Sequence, residues 1–309
     1  MKAAQISEFG HADVVKAVDI PQPEVGADQV LVHVHAASIN PFDTIVREGA
    51  ITSLQLPFTL GGDISGTVVE IGEGVNTGLI VGDKVYGQAN AVAGDSGAFA
   101  EFAATKASQL APMPRTTDFL QAAALPLTGV SALQVITQHM KLQAGQNVLI
   151  HGGAGGIGTM AIQIAKHVGA HITTTATGEG VEYVKKLGAD EVVDYMTQAF
   201  DEAEGVYDAV FDTVGGETYE RSFKTLKQGG VLVSMTMQPD AELMERYGVT
   251  AIAQQTRIST EDLTELAGLV DNGVVTPHVD EVYPLEQVAG AFAARESGKV
   301  KGKVVLQVV

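Results

Sequence analysis

The stretch NVLIHGGAGGIG, residues 147–158, decides the fold of this chain. Its first five residues are mostly apolar and predict a buried strand. Five glycines then follow within seven positions. The next segment, TMAIQIAKHVGA at residues 159–170, repeats its apolar residues at helical spacing. A strand, a glycine turn and a helix in this order predict the unit that binds a dinucleotide pyrophosphate.

Three of these glycines, Gly153, Gly155 and Gly158, form the pattern G-x-G-x-x-G. The first allows a tight turn, the second has no Cβ to keep phosphates away from the backbone, and the third lets the helix pack closely on the strand. Free N–H groups at the start of the helix then face the anion. We therefore predict cofactor contacts from Gly153, Ala154, Gly155, Gly156, Ile157 and Gly158. The alternative, a purely structural glycine turn, is weaker because strand and helix flank the pattern.

The composition of the 309 residues limits the classes of function. A net charge of −18 argues against a nucleic-acid or anionic-membrane partner. The chain opens without a basic, apolar signal segment and contains no apolar run of membrane-spanning length, so we expect a cytoplasmic protein. The absence of cysteine excludes disulfides, a thiolate nucleophile and sulfur-ligated zinc. We predict no metal site.

The pattern of predicted elements indicates two domains. The first third alternates short β segments with turns, as a compact barrel-like β domain does. From about residue 123, strands alternate with helices, which predicts a doubly wound, six-stranded parallel sheet. After Gly273 the chain becomes β again and closes with KVVLQVV. The predicted α/β fold thus has a catalytic domain at residues 1–122 and 274–309 and a dinucleotide-binding domain at residues 123–273.

The motifs together resemble those of the medium-chain dehydrogenase/reductase superfamily, specifically its zinc-free quinone oxidoreductase branch of zeta-crystallin-like proteins and plant-type enone reductases. The resemblance covers essentially the whole chain. It implies a GroES-like β-barrel domain, a Rossmann domain and a homodimer, for which VTAIAQQTR at residues 249–257 offers an edge strand. Its landmarks, besides the glycine stretch, are AASINPFDTIVREG (36–49), LGGDISGTVVEIGEGV (60–75), VGDKVYG (81–87), AAALPLTGVSAL (122–133), LGADEVVDY (187–195), FDTVGG (211–216) and GKVVLQ (302–307).

Departures from the zinc-dependent relatives carry chemical information. Those enzymes have a zinc-binding cysteine where this chain has Asn40, and His-Glu where it has Gly62 and Asp63. Without soft ligands there is no Lewis acid to lower the pKa of an alcohol. The resemblance therefore implies a zinc-independent, NADPH-dependent reductase of quinones or α,β-unsaturated carbonyls.

The family places its substrate-facing turn at INPFD, residues 39–43. This position implies that Asn40 is a hydrogen-bonding wall of the catalytic site. Asp43 either orients a neighbour or a water, or has a local role in an Asx-turn or a helix cap. Plant enone reductases carry a lysine two residues after this aspartate, where this chain has Ile45, so a lysine relay at that position does not transfer. Arg47 is expected to be solvated.

The resemblance also implies cofactor contacts outside the glycine stretch. Thr128 matches a threonine near the phosphates and the nicotinamide ribose, with a helix N-cap as its alternative role. Val214 and Gly215 follow the fourth parallel strand, and Met235 with Thr236 ends the next one; main-chain contacts are expected there. His151, just before the glycines, is interpreted as a structural histidine rather than an acid.

Coenzyme preference depends on the end of the second parallel strand. NAD enzymes place an acid there, about 20 residues after the glycines, whereas HITTTAT has none until Glu179. NADPH-dependent relatives place a lysine near that turn, where this chain again has Glu179. The resemblance implies contacts of the 2′-phosphate with Thr177, Tyr195 and Lys303. We expect NADPH, and use of NADH stays open.

Two other functions stay open at this point. One is a reductase of another carbonyl or alkene. The other is an NAD(P)H-binding protein without turnover, such as a lens crystallin or a sensor.

Overall fold

The computed structural model describes residues 1–51 and 53–309. Its contacts divide the chain into two compact units. Unit 1 comprises Met1–Leu127, Ile258–Asn272 and Pro277–Val309, and unit 2 comprises Thr128–Arg257 and Gly273–Thr276.

The strands, in chain order, are β1 (Lys2–Ile6), β2 (Lys16–Asp19), β3 (Gln29–Ser38), β4 (Phe58–Thr59), β5 (Asp63–Ile71), β6 (Lys84–Gln88), β7 (Phe102–Lys106), β8 (Leu110–Pro112), β9 (Asn147–Ile150), β10 (His171–Ala176), β11 (Glu191–Asp194), β12 (Tyr207–Asp212), β13 (Leu226–Ser234), β14 (Thr250–Ala253), β15 (Val279–Pro284) and β16 (Lys303–Gln307). The α-helices are α1 (Pro41–Arg47), α2 (Phe119–Ala123), α3 (Pro126–Leu133), α4 (Gly156–Val168), α5 (Glu179–Leu187), α6 (Glu217–Ser222), α7 (Ala241–Tyr247), α8 (Thr260–Asp271) and α9 (Val288–Glu296). Helix α3 continues into a π-helical turn at Gln134–His139.

Unit 2 is built on a parallel sheet whose strands, within the described residues, follow the order β11-β10-β9-β12-β13-β14. Numbered from β9, this is the order 3-2-1-4-5-6 of the dinucleotide-binding fold. The order reverses between β9 and β12, and ligands of such sheets bind at the carboxyl ends of the strands there. The predicted fold class is confirmed.

Unit 1 contains a sheet of order β15-β16-β3-β5-β6-β8, with β7 also paired to β3, and a smaller sheet β2-β1-β4. Its pairs are antiparallel except β15 with β16. The longest strand, β3, alternates Val30, Val32 and Val34 into the core. Because β16 pairs with β3, the C-terminal segment belongs to the same sheet as the N-terminal strands.

The two units differ from the predicted domains at residues 123–127, 258–272 and 274–276, and the largest difference is residues 258–272. The prediction placed residues 258–273 in the dinucleotide-binding domain, but most of this segment, including α8, packs in unit 1. Thr260 Oγ1 donates to the Leu110 carbonyl at 2.8 Å, and Tyr86 Oη donates to the Leu263 carbonyl at 2.5 Å. Helical spacing predicted this helix but carried no information about the sheet it packs against.

Candidate functional site

The glycine loop follows β9 and precedes α4, as predicted. Gly152 has a φ of +69°, a left-handed conformation that favours glycine. A Cβ on Gly153 would lie 2.1 Å from Thr174 Oγ1, and one on Gly158 would lie 2.3 Å from the Gly152 carbonyl oxygen. Packing inside unit 2 therefore requires glycine at positions 153 and 158.

Gly155 differs from its neighbours. Its Cβ would meet only the Gly152 carbonyl oxygen, at 3.3 Å, among the described atoms within 4 Å. Its φ of −76° and ψ of 172° suit any residue, and it is the N-cap of α4. The N–H groups of Gly156, Ile157 and Gly158 lie in the first helical turn, where no intrahelical carbonyl is available. The backbone at Gly155 thus leaves space beside a helix N-terminus, the arrangement that accommodates a pyrophosphate.

A cavity of about 450 Å³ opens at the carboxyl ends of β9, β10 and β12. It therefore lies at the reversal of strand order. The structure brings two predicted contact residues together here, Tyr195 and Val214, beside the start of the glycine loop. The lining residues are His151, Gly152, Thr175, Tyr195, Gln198, Ala199, Phe200, Val214, Thr218 and Arg221.

His151 lies at the base of this cavity and is fully buried. Its ring nitrogens lie 2.9 Å from Ser222 Oγ and 3.4 Å from Thr175 Oγ1, and Phe200 packs edge-on at 4.5 Å between ring centroids. Burial lowers the pKa of His151 to about 4, although the charge of Asp212 opposes this effect. Burial thus favours the neutral ring, which fits the structural role.

The loops after β12 and β13 are joined by the Asp212 carboxylate. One carboxylate oxygen accepts from the N–H groups of Val214 and Gly215, at 3.0 and 2.9 Å. The other accepts from Ser234 Oγ at 2.6 Å, and the Asp212 carbonyl accepts from Met235 N–H at 2.9 Å. These N–H groups are thus engaged inside unit 2, and the main-chain contacts of these residues to a cofactor stay a prediction.

The remaining predicted contacts of unit 2 lie in three other places. Thr236 is exposed and so close to Gly215 that a Cβ there would lie 2.4 Å from Thr236 Oγ1. Thr128 is buried on α3. Thr177 follows β10, and Glu179 begins α5 with an exposed side chain. These assignments stay predictions.

In unit 1, Asn40 is 2% exposed and lies between a carboxylate and an ammonium group. Its Nδ2 donates to Asp63 Oδ2 at 2.8 Å, and its Oδ1 accepts from Lys303 Nζ at 2.5 Å. Lys303 also donates to the Ile39 carbonyl at 3.0 Å and lies 3.9 Å from Asp63 Oδ2. We call Asn40, Asp43, Asp63 and Lys303 the Asn40 cluster.

Asp43 caps helix α1, one of the two roles left open by the sequence. Its Oδ2 accepts from the Asn40 N–H at 2.7 Å. Burial raises the pKa of Asp43 to about 7; the Asn40 hydrogen bond opposes this shift and the charge of Asp63 adds to it. Burial of Asp43 therefore favours the protonated form of its carboxyl group.

Asp63 and Lys303 are the members of this cluster whose contacts the sequence did not predict. Asp63 was noted as a replaced zinc ligand, and Lys303 was assigned to the coenzyme phosphate. Burial lowers the pKa of Lys303, while the charges of Asp63 and Asp43 oppose that shift. The adjacency of residue 303 to residue 40 follows from the pairing of β16 with β3, which periodicity does not reveal.

The expectation that Arg47 is solvated is wrong. Its side chain is fully buried, and its guanidinium donates to Glu296 at 2.6 Å, Glu48 at 2.8 Å and the Gly10 carbonyl at 3.0 Å. The guanidinium carbon also lies 4.9 Å from the ring centroid of Phe292. Arg47 therefore ties α1 to α9 within unit 1.

The described part of the chain has neither a cluster suited to a metal ion nor a helix suited to a membrane. Across residues 1–51 and 53–309, no group of three or more His, Cys, Asp or Glu side chains is placed to hold a metal ion. In the same residues, no helix combines the length and apolar character needed to cross a membrane. The cytoplasmic location stays a prediction.

Two family profiles match the chain. The profile described as "Alcohol dehydrogenase GroES-like domain" matches residues 26–115, and that described as "Zinc-binding dehydrogenase" matches residues 187–306.

Among curated proteins, the chain is 35% identical over 319 residues to an NADPH-dependent alkenal/one oxidoreductase, chloroplastic, of Arabidopsis thaliana, covering 99% of this chain and 79% of that protein. Among solved structures, a quinone oxidoreductase from Coxiella burnetii superimposes with a TM-score of 0.91 at 35% identity, covering 100% and 99% of the two chains. The Escherichia coli quinone oxidoreductase complexed with NADPH superimposes with a TM-score of 0.90 at 26% identity over 100% of both.

Proposed function

The chain belongs to the zinc-free quinone oxidoreductase branch of the medium-chain dehydrogenase/reductase superfamily, and from this we propose that it is an NADPH-dependent reductase of quinones or α,β-unsaturated carbonyls. The relatives named above act on alkenals, enones or quinones. When bound, NADPH supplies a hydride for the β-carbon of an enone or for a quinone.

The observation that carries this proposal is the open space at Gly155. Gly153 and Gly158 are packed against protein atoms, whereas the Cβ direction of Gly155 is free apart from one carbonyl oxygen at 3.3 Å. A glycine that packing does not require, placed at a helix N-terminus, fits a pyrophosphate that approaches the backbone. We assign the pyrophosphate to residues 153–158 and the adenosine end to the cavity lined by Tyr195 and Val214.

On the acceptor side, we assign Asn40 and Asp43. An oxygen of the acceptor gains negative charge as its carbon is reduced, and a preorganised N–H donor lowers the energy of that state. One amide hydrogen of Asn40 is donated to Asp63, and the second has no hydrogen-bond partner among the described residues. Asp43 anchors the turn that carries Asn40 through the N–H bond at 2.7 Å.

Steady-state kinetics test the function directly. Purified protein is mixed with NADPH or NADH and a panel of quinones, short enones and simple aldehydes, and coenzyme oxidation is followed at 340 nm. We expect turnover with quinones or enones and preference for NADPH. Binding of NADPH without turnover on any acceptor would instead support a non-catalytic coenzyme-binding protein. Turnover confined to aldehydes would support a different reductase.

Three finer assignments belong to the same proposal. We propose NADPH as the preferred coenzyme, as in the Arabidopsis relative. We propose that no zinc takes part, because Asn40 is hydrogen-bonded to both Asp63 and Lys303; elemental analysis should find no stoichiometric zinc. We also propose a homodimer formed through β14, which lies at the end of the strand order, to be checked by light scattering.

A further inference from the structure

Asp63 and Lys303 contact opposite ends of one amide group. Lys303 Nζ donates to Asn40 Oδ1, and Asn40 Nδ2 donates to Asp63 Oδ2. The two ends of an amide have similar size, so packing alone selects poorly between the two flipped orientations. The charges do select, because a flip would place the amide hydrogens against the ammonium group and the amide oxygen against the carboxylate.

We propose that Asp63 and Lys303 are positioning residues, which hold Asn40 so that its second amide hydrogen is donated to the acceptor oxygen as charge develops there. An amide has two N–H donors, and Asp63 uses one. Catalytic groups need supporting residues that fix their orientation. This inference rests on the proposed reductase function and deepens it.

Both charged groups are themselves held in place. Asp63 is fully buried, and its carboxylate also accepts from Gln88 Nε2 at 3.0 Å and from Ser38 Oγ at 3.3 Å. Lys303 is 4% exposed, and its second bond is to the Ile39 carbonyl. Because Asp63 and Lys303 are held in this way, their hydrogen bonds fix the orientation of the Asn40 amide.

Stability alone is a poor explanation for these buried charges. Desolvation of a buried carboxylate and ammonium commonly offsets their attraction, and apolar replacements of both partners are often neutral or stabilising. The contacts instead converge on the one amide that the family places at the acceptor. Orientation of Asn40 accounts for the geometry better than a contribution to folding does.

The same geometry argues against the role first expected for Lys303. An ammonium group has three donors, and Lys303 directs bonds to Asn40 Oδ1 and the Ile39 carbonyl while also lying 3.9 Å from Asp63. Loss of a lysine that supports Asn40 would lower turnover with NADPH and NADH alike. A contact with the 2′-phosphate would affect NADPH alone.

The Lys303→Met variant separates these two roles. We expect kcat to fall about 10- to 100-fold with either coenzyme, because the donor is no longer fixed. The dissociation constants of NADPH and NADH, measured by calorimetry, should each stay within about threefold of the wild type, since no charged ligand contact is lost. Lys299→Met, at an exposed position on the same segment, is the control and should match the wild type. A selective loss of NADPH affinity, or an unchanged kcat, would overturn the proposal.

A second variant covers the case in which Lys303→Met leaves an unpaired carboxylate and unfolds. The double change Asp63→Asn with Lys303→Met removes both charges, which restores charge balance in the interior. We expect it to fold by circular dichroism, to bind both coenzymes normally and to show the same loss of kcat. Wild-type turnover in the folded double variant would refute the positioning role. If the wild type itself turned over no acceptor, the proposed reductase function would be wrong. Normal affinities for NADPH and NADH would then show that coenzyme binding does not depend on that function.

Discussion

Replacement of Gly155 and of Gly158 should separate coenzyme binding from folding. A Val side chain at Gly155 would project into the space left open beside the helix N-terminus. Loss of a favourable N-cap costs about 1 kcal/mol, or about 2–4 °C in Tm for a domain of this size. Displacement of the pyrophosphate by overpacking costs about 3 kcal/mol, which corresponds to a rise of more than about 100-fold in the Kd for NADPH.

The Gly158→Ala variant is the matched comparison. Its Cβ would lie 2.3 Å from the Gly152 carbonyl oxygen and 2.7 Å from Gly153 Cα, both backbone atoms that cannot rotate away. We estimate about 3 kcal/mol for this strain, offset by about 1 kcal/mol of helix propensity, which leaves about 2 kcal/mol. The Tm should therefore fall by about 4–8 °C.

Calorimetric titration with NADPH and thermal unfolding monitored by circular dichroism give the two quantities for each variant. The expected pattern is weak binding with modest destabilisation for Gly155→Val, and larger destabilisation for Gly158→Ala. An unchanged Kd in folded Gly155→Val would show that the pyrophosphate lies elsewhere. Wild-type stability in Gly158→Ala would show that the close approach of helix and strand is not required.

Single substitutions at four other residues should each have a measurable effect. Asn40→Ala should lower kcat about 100-fold while the Kd for NADPH changes less than threefold, because only the acceptor-side donor is lost; equal loss in both would contradict the assignment. Glu179→Lys should raise the preference for NADPH over NADH about tenfold in competition kinetics. The change replaces an exposed negative charge at the start of α5 by a positive charge, which attracts the 2′-phosphate of NADPH. Because burial raises the folded-state pKa of Asp43 to about 7, above its unfolded value near 4, its contribution to stability is present below pH 4 and lost as the pH rises to 7; Asp43→Asn should reduce that decline in denaturant titrations, and a parallel pH curve would contradict the shift. Burial lowers the pKa of His151 to about 4, so its contribution is present above pH 6.5 and lost as the pH falls to 4, and His151→Gln should retain more of its stability in acid by the same measurement.

Much of unit 2 could be predicted because its signals are local. The alternation of strands and helices predicted the parallel sheet, and HITTTA coincides with β10 at His171–Ala176. Local signals did not give every bound: β13 runs from Leu226 to Ser234. This strand continues through Gly229 and Gly230 with a shift in its pairing to β12, which periodicity does not reveal.

The Asn40 cluster could be predicted only in part from the sequence. Asn40 and Asp43 were found because they stand in one short motif. Lys303 was assigned elsewhere, since its partner lies 263 residues away and only the pairing of β16 with β3 brings them together. Arg47 was expected in solvent because arginine is usually exposed, whereas Glu296 on a distant helix provides the charge that permits its burial.

The late position of β16 in the chain has a consequence for biosynthesis. During translation, the whole glycine loop and its sheet are made before residue 303 exists. A nascent or truncated chain that ends before β16 would carry the glycine loop to which we assign the pyrophosphate but would lack the Lys303 ammonium group that we propose orients Asn40. Because Lys303 reaches Asn40 only through the pairing of β16 with β3, the proposed support of Asn40 cannot form before β16 has been made and has paired.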